Sequence, residues 1–146
     1  MNIRPYDIED HAEWLRLRGL LWPHLNADEH KQEMAVWLAR PDATVLVAAD
    51  VGVAGLGGFA EVGCRSIADG CETSPVAYLE GWYVDVVVRR KGIGAALVRA
   101  AESWARSRGL REFASDAELD NVLSQRAHHA LGFTEMGRSV LYLKKI

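Results

Sequence analysis

Arg89-Arg90-Lys91-Gly92-Ile93-Gly94 stands between an apolar run, Val84-Asp85-Val86-Val87-Val88, and the stretch Ala95-Ala96-Leu97-Val98-Arg99-Ala100-Ala101. That order reads as a strand, a short basic turn carrying glycines, and the start of a helix. The chemistry it suits is the gripping of a pyrophosphate. Glycines let backbone pass close to an anion, the first N–H groups of a helix have no intrahelical partner, and the helix dipole favours negative charge there. Two arginines and a lysine at the same turn add charge-assisted contacts. No Gly-x-x-x-x-Gly-Lys-Ser/Thr is present, and Leu97 stands where the third glycine of Gly-x-Gly-x-x-Gly would be, so neither common nucleotide turn is spelled out. A lone Arg-x-x-Gly-x-Gly is by default a solvated strand-to-helix loop. Its place between a strand and a long amphipathic helix argues for function here.

Glu80 is the second residue of chemical interest. An acid following Val76-Ala77-Tyr78-Leu79 needs a reason to be there. It is either functional, a solvated strand acid, or the partner of a neighbouring lysine or arginine. It precedes Val84 by four residues, which in a regular strand puts both side chains on one face.

The elements that must position these residues follow from patterning. Ile3-Arg4-Pro5 is a short strand. Asp7 caps a helix running to about Leu21, with Asp10 at the capping-box position. Trp14, Leu17 and Leu21 share a face, and Trp22-Pro23 ends the helix. Asn26 or Asp28 starts a second helix with Met34, Trp37 and Leu38 inward and Pro41 after its end. Strands are expected over 43–49 and 52–62 as a hairpin, a loop over 63–75, and a fourth strand and its exit over 76–88. A helix over 92–108 closes on Gly109, where a C-cap glycine belongs. A fifth strand over 111–116, a helix over 121–131 and last strands over 133–145 complete a single domain, 1–146, of mixed α/β class.

With 146 residues, nearly half of them apolar, the chain supports one real core. A net charge of −3 argues against nucleic acid as the main partner and suits a cationic one. No apolar stretch approaches a membrane span, and the N-terminus has no signal-peptide character. Cys64 and Cys71 lack the partner pairs of a metal site and are expected to be reduced thiols, which implies a cytoplasmic location and no metal.

Taken together, Arg89, Gly92 and Gly94 at the end of a fourth strand, and Asn121 opening a helix that ends in Ala130-Leu131-Gly132-Phe133, resemble the GNAT superfamily of acetyl-CoA-dependent N-acetyltransferases. Leu21-Trp22-Pro23, Ser74-Pro75-Val76, Leu79-Glu80-Gly81, Ala114-Ser115-Asp116 and Ser124-Gln125 are similar to aminoglycoside 6′-N-acetyltransferases over nearly the whole chain. The resemblance implies a mostly antiparallel, twisted sheet splayed between strands four and five and flanked by about four helices.

It also implies roles. Backbone groups of Arg90, Lys91, Gly92, Ile93, Gly94 and Ala95, with Arg89 before them, would hold the pyrophosphate of acetyl-CoA. Trp82-Tyr83-Val84 would lie along the pantetheine arm, with a backbone N–H near Val84 facing the thioester oxygen. Asn121 would contact the pantetheine, cap its helix, or both. Glu80 would be the general base; a free carboxylate titrates near 4 and an alkyl amine far higher, so it would accept the amine proton through ordered water as attack proceeds. Asp116 would bind a cationic acceptor, or serve only as a turn acid. Glu135, and more weakly Glu118, are further cation-binding candidates, and Trp22 would floor a sugar ring. Where many superfamily members have a tyrosine general acid this chain has His128. Tyr142 is a second candidate donor to the thiolate, and the third option is a thiolate that leaves unaided.

The reading implied is transfer of acetyl to the 6′-amine of aminoglycosides, hence resistance. The alternatives are acetylation of a polyamine, an amino sugar or a protein amine, or an acyl-CoA-binding module without turnover. Family members are commonly homodimers, and exposed last-strand residues could pair across subunits.

Overall fold

The computed structural model describes all residues, 1–146. β1 (Asn2–Pro5), β2 (Ala43–Ala49), β3 (Gly58–Arg65), β4 (Val76–Val84) and β5 (Phe113–Ser115) form one sheet in that spatial order. The pairs are antiparallel except β4 with β5, which is parallel. Four helices flank it: α1 (His11–Leu21), α2 (Ala27–Ala39), α3 (Ile93–Ser107) and α4 (Val122–Ala130). None is long and apolar enough to cross a membrane.

Strand alternation sorts the core into two layers. Leu46, Ala48, Ala60, Val62 and Leu79 meet Ile93, Leu97, Val98 and Ala101 of α3. Val45, Val47 and Phe59 meet Trp14 and Leu17 of α1 and Met34 of α2 on the opposite face. The caps are where the local residues place them. Asp7 and Asp10 form a reciprocal capping box around a single 3-10 turn that feeds α1, and Asn26 accepts from Glu29 N at the start of α2.

The capping box also carries charge. Arg4 grips Asp10 through two bonds of 2.6 and 2.9 Å and holds its carboxyl below its ordinary value near 3.8. Asp85 and Glu13, both bonded to Arg16, and Asp42, bonded to Arg40, are lowered in the same way. A carboxyl depressed in the folded state stabilises above its unfolded pKa, and that contribution disappears as pH falls through the folded value. Urea unfolding measured across pH should therefore give a stability that falls steadily below about pH 4. A stability that stayed level to about pH 3 would contradict these pairings.

Four expectations need correction. The second strand of the hairpin begins at Gly58, not Gly52. Residues 50–57 form an irregular connection whose Val51 and Leu56 are buried, so their apolar character reports packing rather than pairing. β5 is shorter than 111–116. Leu38 faces solvent, while His30 is buried beside Met34. The last strands over 133–145 do not form: no residue beyond Phe133 takes part in a backbone hydrogen bond, and Leu141, Tyr142 and Leu143 are exposed. An alternating apolar segment becomes a strand only where an edge receives it, and this one lies off β5.

Candidate active site

The site is assembled along β4. Glu61 of β3 pairs with Gly81 and Val62 pairs with Leu79, so Glu80 is the extra residue of a β-bulge. A bulge re-aims a side chain and changes the alternation beyond it. Leu79, Trp82 and Val84 therefore all pack toward α3, while Tyr83 faces α1 and α2. The expected shared face of Glu80 and Val84 does not survive: Glu80 turns away from α3 and meets Arg65. Parallel pairing with β5 covers only Ala77 to Leu79, so the edge from Glu80 to Val84 opens into a wedge between the two strands.

The basic turn closes one end of that wedge. Arg90 has φ 65° and Gly92 φ 78°, both left-handed, which folds the turn tightly before α3. Gly92 is the N-cap and offers no side-chain acceptor. The first backbone N–H to be used within α3 is that of Ala96, so the N–H groups from Arg90 to Ala95 have no partner in the protein. Trp82 Nε1 donates to Gly94 O at 3.2 Å and ties the helix start to β4. Ile93 is buried and contributes backbone alone. Arg89 is exposed but already engaged: its Nε donates to Val84 O at 2.9 Å and its guanidinium lies over the Tyr83 ring. The exposed cations at the turn that remain free are thus Arg90 and Lys91.

On the other side of the wedge stands a charged cluster. Arg65 holds both oxygens of Glu80, each at 2.7 Å, so the ion-pair expectation for Glu80 is met. The same guanidinium lies 3.5 Å from the centre of the Tyr78 ring, and the Tyr78 hydroxyl donates to Asp116 at 2.6 Å. Burial, and then the bond to Asp116, push the Tyr78 phenol up. Glu80 and Asp116 thereby belong to one constellation through Arg65 and Tyr78, neither of which the sequence alone assigned. Tyr78, a polar-tipped residue in the apolar run before Glu80, was the available signal. Trp22 packs edge-on to Phe59, and a Cβ at Gly81 would come within 2.7 Å of its ring. Gly81 is thus the clearance that lets Trp22 reach the bulge.

His128 spans the mouth of the splay. Its ring packs edge-on to Trp82 at 5.3 Å, Nε2 lies 2.8 Å from Ser115 Oγ, and Nδ1 lies 2.7 Å from Ser124 O. A carbonyl can only accept, so Nδ1 carries a proton. Tyr142 is not brought here; it is 92% exposed on the segment that pairs with nothing. Glu135 lies on the same segment and is paired with Arg138 at 2.6 Å, and Glu118 is exposed. Asn121 caps α4 by accepting from Ser124 N at 3.1 Å. Asn121→Ala should cost about 1 kcal/mol in chemical denaturation through loss of that cap; an unchanged midpoint would show that the cap contributes nothing.

A mixed sheet splayed between its fourth and fifth strands, with a glycine-initiated helix at the wedge, is the fold of acyl-CoA N-acyltransferases. Residues 11–133 match the Acetyltransferase (GNAT) family, and the chain belongs to it. It is 46% identical to an aminoglycoside N(6′)-acetyltransferase type 1 of Klebsiella aerogenes over 99% of this chain and 96% of that one. A protein of the same name from Serratia marcescens is 43% identical over 91% of each. Among solved structures, the apo aminoglycoside antibiotic 6′-N-acetyltransferase AAC(6′)-IG from Acinetobacter haemolyticus superposes with a TM-score of 0.92 at 41% identity, covering 100% of this chain and 99% of that one. AAC(6′)-Iy in complex with the bisubstrate analogue CoA-S-monomethyl-acetylneamine gives 0.90 at 33% identity, covering 99% and 98%.

Proposed function

We propose that this chain is an aminoglycoside 6′-N-acetyltransferase that moves acetyl from acetyl-CoA to the 6′-amine, acting as one catalytic domain over 1–146 and conferring resistance. One observation carries the reading. A turn with free backbone N–H groups, an open β4 edge and a carboxylate cluster meet at a single wedge. The names of the relatives support the choice of acceptor.

In this account the N–H groups from Arg90 to Ala95, with Arg90 and Lys91, bind the pyrophosphate. The pantetheine extends along Trp82-Tyr83-Val84 as an added strand, and Asn121 borders it. Asp116 and Glu80 draw the polycation in, and Trp22 floors a sugar ring. The neutral 6′-amine attacks the thioester carbon; an N–C bond forms and the C–S bond breaks. A β4 backbone N–H near Val84 stabilises the oxyanion. Glu80 accepts the amine proton through water. His128, at the mouth of the wedge, protonates the thiolate from its doubly protonated form, giving up the Nε2 proton and keeping the one that Nδ1 donates to Ser124 O; Tyr142 lies outside the wedge within one chain, and Glu135 is held by Arg138. Acetylation removes a cation and donors that a ribosomal RNA site would read.

The test is a thiol-release assay with acetyl-CoA against kanamycin, tobramycin and their 6′-hydroxyl analogues, with spermidine and a lysine peptide alongside. Turnover confined to the 6′-amino drugs is expected. Turnover only of spermidine or the peptide would keep the chemistry and discard the acceptor.

The two unpaired thiols suit a reducing compartment, which favours the cytoplasm. The exposed run Val140-Leu141-Tyr142-Leu143 and the unpaired edge of β5 favour a homodimer in which these segments pair across subunits. Sedimentation at micromolar concentration should give twice the chain mass, and truncation after Arg138 should give the monomer.

A further inference from the structure

Beneath Trp22 lies a charged network that the acetyl transfer just described does not use. Arg18, His30 and Glu61 are each at most 3% exposed. Arg18 stacks on the Trp22 ring at 4.6 Å from its centre and is ion-paired with both Glu33 and Glu61. Arg18 Nε donates to His30 Nδ1 at 3.3 Å, and His30 Nε2 lies 3.1 Å from Trp22 O. An arginine can only donate and a carbonyl can only accept, so His30 is neutral with its proton on Nε2. The network sets one cation against two acids, and burial pushes the Glu61 carboxyl above its ordinary range while Arg18 and Trp14 draw it back.

Glu61 is the unusual member. Its Oε1 takes both Trp14 Nε1, at 3.0 Å, and Arg18 Nη1. Its Oε2 accepts nothing from the protein. No buried side-chain polar atom lacks a partner, so Oε2 must reach the surface. It lies beside the bulge: a Cβ at Gly81 would be 3.4 Å from Oε2 and against the Trp22 ring. Gly81 thus brings this oxygen and the Trp22 ring together at the bulge, next to Glu80. A carboxylate held this rigidly in a mostly buried setting makes a stronger charge-assisted bond than a solvated one.

We propose that Glu61 Oε2 is a further acceptor-binding group, receiving an ammonium or hydroxyl of the cationic amine substrate at the floor of the cleft. The proposal rests on the reading that the acceptor is a polyamine-bearing sugar. Glu61→Gln keeps the shape and an oxygen for Trp14 and Arg18 while removing the charge. Titration calorimetry of the whole chain with CoA bound should show kanamycin binding weakened about tenfold in E61Q, with CoA affinity unchanged. Glu33→Gln, which touches Arg18 from the solvent side, should leave kanamycin binding within about twofold of the original, since Oε2 is untouched. Equal kanamycin affinity in E61Q overturns the proposal, as does equal weakening in both variants, which would assign the effect to packing of the network. Should E61Q fail to fold, a crystal structure of the unaltered chain with kanamycin decides: a ligand nitrogen or hydroxyl within about 3.2 Å of Oε2 supports it, and an Oε2 met only by water overturns it. Failure of the acceptor reading is separately visible, since the unaltered chain would then not turn kanamycin over; the same titrations with spermidine then decide Glu61.

Discussion

Glu80→Gln lowers kcat for amine acetylation by about 10²–10³-fold and leaves the KM for acetyl-CoA unchanged. The expectation follows from where the bulge puts Glu80. The extra residue in β4 turns its carboxylate away from α3 and into the wedge, where Arg65 holds both oxygens in a bidentate grip. A carboxylate so held keeps lone-pair directions free for a water, and general-base assistance of this kind contributes about 10²–10⁴ in rate. Glutamine can still accept one bond from Arg65 but cannot take the proton. If Glu80 were only Arg65's partner, the exchange would lower the melting temperature slightly and leave kcat intact, because a part-exposed ion pair contributes about 1 kcal/mol or less. Steady-state kinetics beside a thermal melt separates the two.

Gly92→Asp raises the KM for acetyl-CoA by about 10²-fold while Gly92→Asn raises it by less than about tenfold. The position has φ 78°, and a Cβ added there would meet nothing within 4 Å, so the obstacle to substitution is backbone strain rather than crowding. Asparagine and aspartate are the residues that tolerate this conformation best. They differ here in one charge, placed at the N–H groups from Arg90 to Ala95 that have no partner in the protein. A carboxylate there occupies the anion site and repels a pyrophosphate. Equal KM values for the two variants would mean that the turn does not hold the phosphates.

What the sequence showed and what it hid divide along physical lines. Asp7, Asn26 and Asn121 cap helices where local chemistry says they should, because a cap is settled within a few residues. The turn at Arg89 to Gly94 was legible for the same reason. The bulge was not: it arises from register with β3, and strict alternation assigned Glu80 to the wrong face. Residues 52–56 and 134–146 carry strand-like patterns, but pairing is non-local and neither segment finds an edge. Arg65 and Tyr78 could not be joined to Asp116 without knowing that β3, β4 and β5 are neighbours. Glu61 was within reach, since it interrupts Phe59-Ala60-Glu61-Val62 as Glu80 interrupts its own run, and the question asked of one acid applied equally to the other.

The central claim is that the wedge delivers acetyl to one particular nitrogen. The most direct test is carbon-13 NMR of the product formed from kanamycin and acetyl-CoA labelled at the carbonyl. A long-range coupling from the labelled carbonyl to the 6′-methylene protons, in a single product, is the predicted result. Label on any other amine, or none on the drug, would contradict it.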